Sequence, residues 1–415
     1  MMLTAFFRVV VMALLTVTLA SPWASAQDES ASAYLLDNAT PLTSIAGPRA
    51  NQDDLNPLKS IIGDAVVIEL FEHGSAGDGA TYDGMVRLVT YLHREMDFEV
   101  LIWPVGIFEA HSMELALRNG KSIESSAQTL YAVWRQSRHV LPLLEYAQSS
   151  YLWPQPLLMV GTHAQYHAVA KRKYASHLTS FLNAAAPMVP RQDVTLLDSL
   201  WTKPRRLRDV SDGHRQEARS AALKLQLLFR DQAFALRQRY SQSRIALESI
   251  MLENLIAFID IESARAQEST ETYESEKLRR AATQRNLSWM TAGPYRGRKF
   301  VLWGRWPEAQ AIFGEEIRSI GFTAYTGKLG RPNRPERSFL PPAKDGTVEA
   351  LLHRLPGPGS ILNLRPARLR TPNPLASVTA RISNEISPEL NWTDRFDALF
   401  FIDEVYPNES IEKEE

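Results

Sequence analysis

The sequence predicts an α/β protein: a three-layer sandwich with a mainly parallel sheet and an inserted helical lobe. Three observations predict it. Short runs that are apolar on both faces recur along the chain, as buried parallel strands require. Amphipathic segments of helical length separate them, which is the alternation of an α/β sheet. From His214 to Ala292 there is no glycine or proline, so one long insertion reads as two or three packed helices.

The strand candidates, in order, are "AVVIEL" (65–70), "EVLIW" (99–103), "PLLMVG" (156–161), "KFVLWG" (299–304), "FTAYTG" (322–327), "SILNLR" (360–365) and "DALFFIDEV" (397–405). Between the first two, Met85, Leu88, Val89, Leu92 and Met96 repeat at helical spacing and mark a crossover helix. Residues 124–149 and 163–185 read as further helices. The Pro- and Arg-rich segments 328–345 and 365–374 read as loops.

The first 26 residues read as a secretory signal. Arg8 precedes a short apolar run, and Ala24-Ser25-Ala26 supplies a small-x-small cleavage site before Gln27. The run is too short to span a bilayer comfortably, so a periplasmic or secreted chain is expected, not membrane-spanning after cleavage. Residues 27–56 then form a polar, loosely held lead-in. Residues 57–205 and 293–407 form the two parts of the α/β domain, 206–292 the helical insertion and 408–415 an acidic tail. The chain has no cysteine, which rules out disulfides and thiolate catalysis. Lys and Arg number 46 against 47 Asp and Glu, so no global field draws nucleic acid.

The chemistry-bearing stretch is "VVIELFEHGSAGD" (66–78), an apolar run holding Glu69 that ends in a turn holding Glu72, His73 and Ser75. In an open α/β sheet that is where a site residue stands. Glu109 and His111 follow the second strand, and His163 and His167 follow the third. That set would make a metal site only if the groups converged, and no metal or cofactor is expected. Arg305 and Glu308 follow the fourth main strand, where they either pair with each other or help bind an anion beside Arg279 and Arg280. G-x-S-x-G and P-loop patterns are absent.

In order and spacing these segments resemble the erythromycin esterase-like family from about Leu55 to Val405. "PLKSIIGDAVVIEL" resembles its opening strand, "YAVWRQSRHVLPLLEYAQ" its Trp-Arg helix, and "RRAATQRNLSWM" with "KFVLWG" its later helix and strand. "GFTAYTG", "DGTVEALL", "SILNLR" and "FDALFFIDEV" resemble its C-terminal pattern. The resemblance implies an α/β fold with a helical lobe and metal-independent ester hydrolysis by a histidine-activated water.

Its catalytic positions are changed here. Counting from Gly63 puts the family's first Glu on Glu72 and its His on Ser75; matching His-Gly instead uses His73 and puts the Glu on Leu70. Pro104 stands where a carboxylate is expected, while Glu109 survives further on. His163 replaces an Asp, and Arg305 and Glu308 replace two histidines. Arginine stays protonated and cannot serve as a base. Two expectations follow: a catalytically degenerate protein that binds a small molecule or protein, or a divergent hydrolase built on Glu72, His73 and Glu109, with Ser75, His163, Arg305 and Glu308 lining its site.

Overall fold

The computed structural model describes residues 22–47, 51–72, 78–185, 191–202, 207–267, 273–332, 334–384 and 391–411. The strands are β1 (Ala39–Leu42), β2 (Val67–Phe71), β3 (Phe98–Gly106), β4 (Leu158–His163), β5 (Lys299–Trp303), β6 (Ile317–Arg331), β7 (Arg334–Leu340), β8 (Gly359–Asn363) and β9 (Ala398–Val405). They form one sheet in the order β1-β8-β9-β6-β2-β5-β3-β4, with β7 paired to β6. The pairs β9-β6, β6-β2, β2-β5, β5-β3 and β3-β4 are all parallel. The expected sandwich is therefore the observed one, with antiparallel pairs at β1-β8, β8-β9 and β6-β7.

The period-two alternation of β2 divides the molecule into layers. Ile68 and Leu70 face a core built with the Gly79–Met96 helix, through Met85, Leu88, Val89 and Leu92. Val67 faces the opposite core, which includes Val100, Ile102, Phe300 and Leu302 of the sheet and Leu225, Leu255 and Phe258 of the insertion. The helical insertion is thus the third layer, sharing its core with the sheet. Its helices are Asp212–Asp231, Ala233–Arg239, Gln242–Gln267 and Tyr273–Ala292.

Several local expectations are corrected. Residues 27–56 are docked, not loosely held: the helix Pro22–Asn38 buries Ala31, Tyr34 and Leu35, and β1 covers the edge of β8. Tyr34 Oη donates to the carbonyl of Asn363 at 2.6 Å. A predominantly polar sequence concealed this, because three buried side chains suffice to seat one short helix. The segment 124–149 is broken into Ile123–Ser126, Ala132–Arg135 and Leu141–Ser150, and Pro142 stands in the first turn of the last, where its missing N–H costs nothing. The supposed loop 328–345 instead extends β6 and forms β7. Residues 408–411 pack against 136–138, with Ser137 Oγ donating to Asn408 Oδ1 at 2.6 Å. No described helix is long and apolar enough to cross a membrane. Residues 1–21 of the expected signal lie outside the described residues.

Candidate functional site

Parallel strands β2, β5, β3 and β4 lie side by side, so their C-terminal ends form one edge. Glu72 follows β2, Arg305 and Glu308 follow β5, Glu109 follows β3, and His163 ends β4. The sequence-predicted groups therefore share an edge of the sheet. His73 and Ser75 lie outside the described residues.

Glu72 accepts a hydrogen bond from the Trp303 indole N–H at 2.6 Å. Trp303 meets Tyr82 and Trp103, each with ring centroids 5.7 Å apart. Trp103 continues to Trp134, Trp134 to Tyr131, and Tyr131 to His167. A run of edge-on and tilted aromatic rings thus underlies the sheet edge from Glu72 towards Glu109, and such pairs add stability beyond their buried area. Burial, reinforced by the Glu72 charge, pushes the Tyr82 phenol well above its ordinary range.

Glu109 stands in the first turn of the Ile107–Arg118 helix, where the positive helix end suits a carboxylate. It is nonetheless sealed: Oε1 accepts the His167 backbone N–H at 3.0 Å, and Oε2 has no partner. A Cβ at Gly106 would lie 2.1 Å from that Oε2, so glycine is what lets the carboxyl fold back there. Burial raises the Glu109 pKa to about 8, and the group is a protonated acid at neutral pH.

His163 is partly exposed and rests beside Trp306, ring centroids 5.3 Å apart, while Nδ1 meets the Gln165 amide at 3.1 Å. Burial, then the nearby Arg279 charge, lowers its pKa to about 4, so it is neutral at physiological pH. Arg279 and Arg280 both pair with Glu276. His111 departs from the site: Arg244 contacts its Nε2 at 3.1 Å inside the helical lobe, within a network that includes His177 and Glu248. Among the described residues no group of three or more His, Asp or Glu is placed to hold a metal ion.

One feature was missed in the sequence, and a second, a candidate group there, gains its partners only in the fold. The first is Asp83–His139, with Nδ1 3.0 Å from Asp83 Oδ2. Tyr406 Oη also donates to that carboxylate. His139 Nε2 and Asp78 Oδ2 are both buried without partners beside the start of the Gly79–Met96 helix, and burial raises the Asp78 pKa to about 6. Only the spacing of Asp83 and Tyr406 from His139 in the folded chain makes this pair, so no local motif announced it. The second is Glu69, in the middle of β2. Its carboxylate accepts from Trp306 N at 2.7 Å, from Ser319 Oγ at 2.9 Å and from Arg395.

The architecture and this edge define an α/β protein of hydrolase-like fold. More particularly, the fold is the erythromycin-esterase-like one. A mutant of the erythromycin esterase EreC, in its open conformation, superposes with a TM-score of 0.65 at 13% identity, covering 91% of this chain and all of that one (100%). A Bacillus cereus protein superposes at 0.73 with 16% identity, over 93% and 99% of the two chains. A succinoglycan biosynthesis protein does so at 0.71 with 14% identity, over 94% and 99%. In sequence, the putative hydrolase YbfO of Bacillus subtilis (strain 168) is 22% identical over 348 residues, which is 73% of this chain and 75% of that protein. No protein-family model matches the chain.

Proposed function

We propose that this is an exported protein of erythromycin-esterase-like fold that no longer hydrolyses esters and works by binding a small molecule or a protein partner. One observation carries the reading: the ionisable groups described at the sheet edge are in the wrong state for activating water. A general base needs a pKa near working pH and a partner that orients it. Glu109 is a sealed, protonated acid, Glu72 is committed to the Trp303 indole, and His163 is a weakly basic neutral ring. Among the described residues neither imidazole ring is held by a carboxylate: the His163 ring meets the Gln165 amide and the His167 ring the Leu130 carbonyl. Losing one general base costs about 10²–10⁴-fold in rate, and here the groups are altered together. Export rests on the Arg8 and apolar leader with its Ala24-Ser25-Ala26 site.

A second reading, a metal-independent ester hydrolase with a histidine-activated water, is favoured by the Asp83–His139 pair. A carboxylate on one ring nitrogen leaves the other free to take a proton, which is the base-and-orienter arrangement of nucleophilic hydrolases. The two readings separate in one assay. Purified protein offered p-nitrophenyl acetate or a macrolide lactone should show no turnover above background. Turnover that disappears in His73→Ala or His139→Ala would overturn the binding reading and identify the base.

A further inference from the structure

Arg305 lines a cleft of about 720 Å³. The walls are the loop and short helix after β5, the starts of β6 and β9, and the Arg365–Leu369 helix. Five guanidinium groups line it: Arg305, Arg318, Arg365, Arg368 and Arg395. Four acidic residues line it as well, so the lining carries one positive charge in excess; Glu315 and Asp394 are exposed, and Glu69 and Asp397 stand on the inner wall.

Both inner carboxylates are already engaged. Glu69 holds Arg395, Ser319 and Trp306 N, as described above. Asp397 accepts from Arg368 at 2.6 Å and from Ser319 N at 2.9 Å, with Arg318 Nε 4.0 Å away. Arg318 Nε is buried with no hydrogen-bond partner. Arg365 donates to the carbonyl of Ile61 at 2.9 Å and, among the described residues, has no carboxylate within 4.0 Å. The positive excess is permanent, because arginine does not deprotonate in proteins. Its forked donors match the oxygens of a carboxylate or a phosphate. At the lip, Leu369 is 87% exposed, an apolar surface beside a cationic wall.

We propose that this cleft binds a small organic oxyanion, a carboxylate or phosphate ester held by Arg365 and Arg368 with Leu369 against its apolar body. The proposal gives the binding reading a ligand class and rests on it.

Isothermal titration calorimetry on the whole protein tests it, with succinate and glycerol 3-phosphate as probes and glycerol as the uncharged control. Saturable one-site binding of either anion, and none of glycerol, is expected; whichever anion binds tighter identifies the carboxylate or the phosphate source. Arg365→Gln and Arg368→Gln should each weaken binding roughly tenfold or more, the effect of removing a charge-assisted hydrogen bond. Arg230→Gln, on an exposed pair with Asp231, should leave the affinity unchanged. No saturable heat with either anion, or an equal loss in Arg230→Gln, overturns the proposal. If Arg365→Gln does not fold by circular dichroism, Arg368→Gln carries the test alone, since that residue is exposed. Anion binding together with ester turnover would sink the binding-only reading and keep the cleft. No anion binding and no turnover would do the reverse.

Discussion

Glu109 shows how one residue can look catalytic in sequence and be structural in the fold. A carboxylate just past a strand of an α/β sheet invites an acid–base role. Here burial holds its pKa at about 8, above the ordinary carboxylate value. The folded state therefore keeps a proton that the unfolded chain releases above about pH 4.5. Stability from this group is fully present below that pH and is lost as pH rises through 8. Glu109→Gln keeps the shape of the neutral acid and has no proton to lose. The variant should gain on the wild type between pH 5 and 8, by a few kcal/mol at the upper end, as read from urea melts across pH. A wild-type-like pH profile in Glu109→Gln would show that the carboxyl is ionised in the fold. His163 has the opposite sign. Its lowered pKa of about 4 means the unfolded chain takes up a proton first as pH falls from 6.5, so this contribution is lost on acidification.

Among the elements, β2 is decisive. All five of its residues are buried, and its one charged residue, Glu69, touches the loop after β5, strand β6 and Arg395 just before β9. One carboxylate thereby ties together the segments flanking two parallel pairings. Removing one partner of a buried ion pair leaves the other uncompensated, at roughly 3–5 kcal/mol. Glu69→Ala should lose stability on that scale in chemical denaturation, and Ser319→Ala far less, because it removes only one neutral donor. A loss below about 1 kcal/mol in Glu69→Ala would mean that water replaces the carboxylate there. β2 was legible in sequence from its apolar run. Glu69 stood out there as a candidate group, but its partners did not, because a single charged residue in a strand carries no sign of which neighbours will meet it.

At the scale of the whole molecule, the N-terminal segment completes the sheet. Ala31, Tyr34, Leu35 and Leu42 are buried, and β1 occupies what would be an open edge of β8. The buried side chains described in that segment all follow the expected cleavage point before Gln27. A chain starting at Gln27 should melt with the full-length protein. One starting at Thr43 lacks the buried side chains of Tyr34, Leu35 and Leu42, and should lose roughly 4.5–9 kcal/mol, at about 1.5–3 kcal/mol for each. It should also aggregate more readily through the bared strand edge. Equal melting of the two truncations would show that the helix and β1 are dispensable. Export itself is checked by N-terminal sequencing of the secreted or periplasmic product, which should begin at Gln27.

The sequence by itself determined the layers of this protein. Hydrophobic periodicity is local, so the buried strands, the crossover helix over Met85–Met96 and the Gly- and Pro-free lobe were readable, and the order of the segments pointed to the fold that the structural neighbours share. It also placed Glu72, Glu109, His163, Arg305 and Glu308 at strand ends. Only the tertiary structure decided their states. Whether Glu109 is ionised depends on the burial that Gly106 and His167 impose, and whether Arg305 faces Glu308 or an arginine-lined cleft depends on residues 318–397. Burial and charge balance are set by groups far apart in the chain, and so no local pattern encodes them.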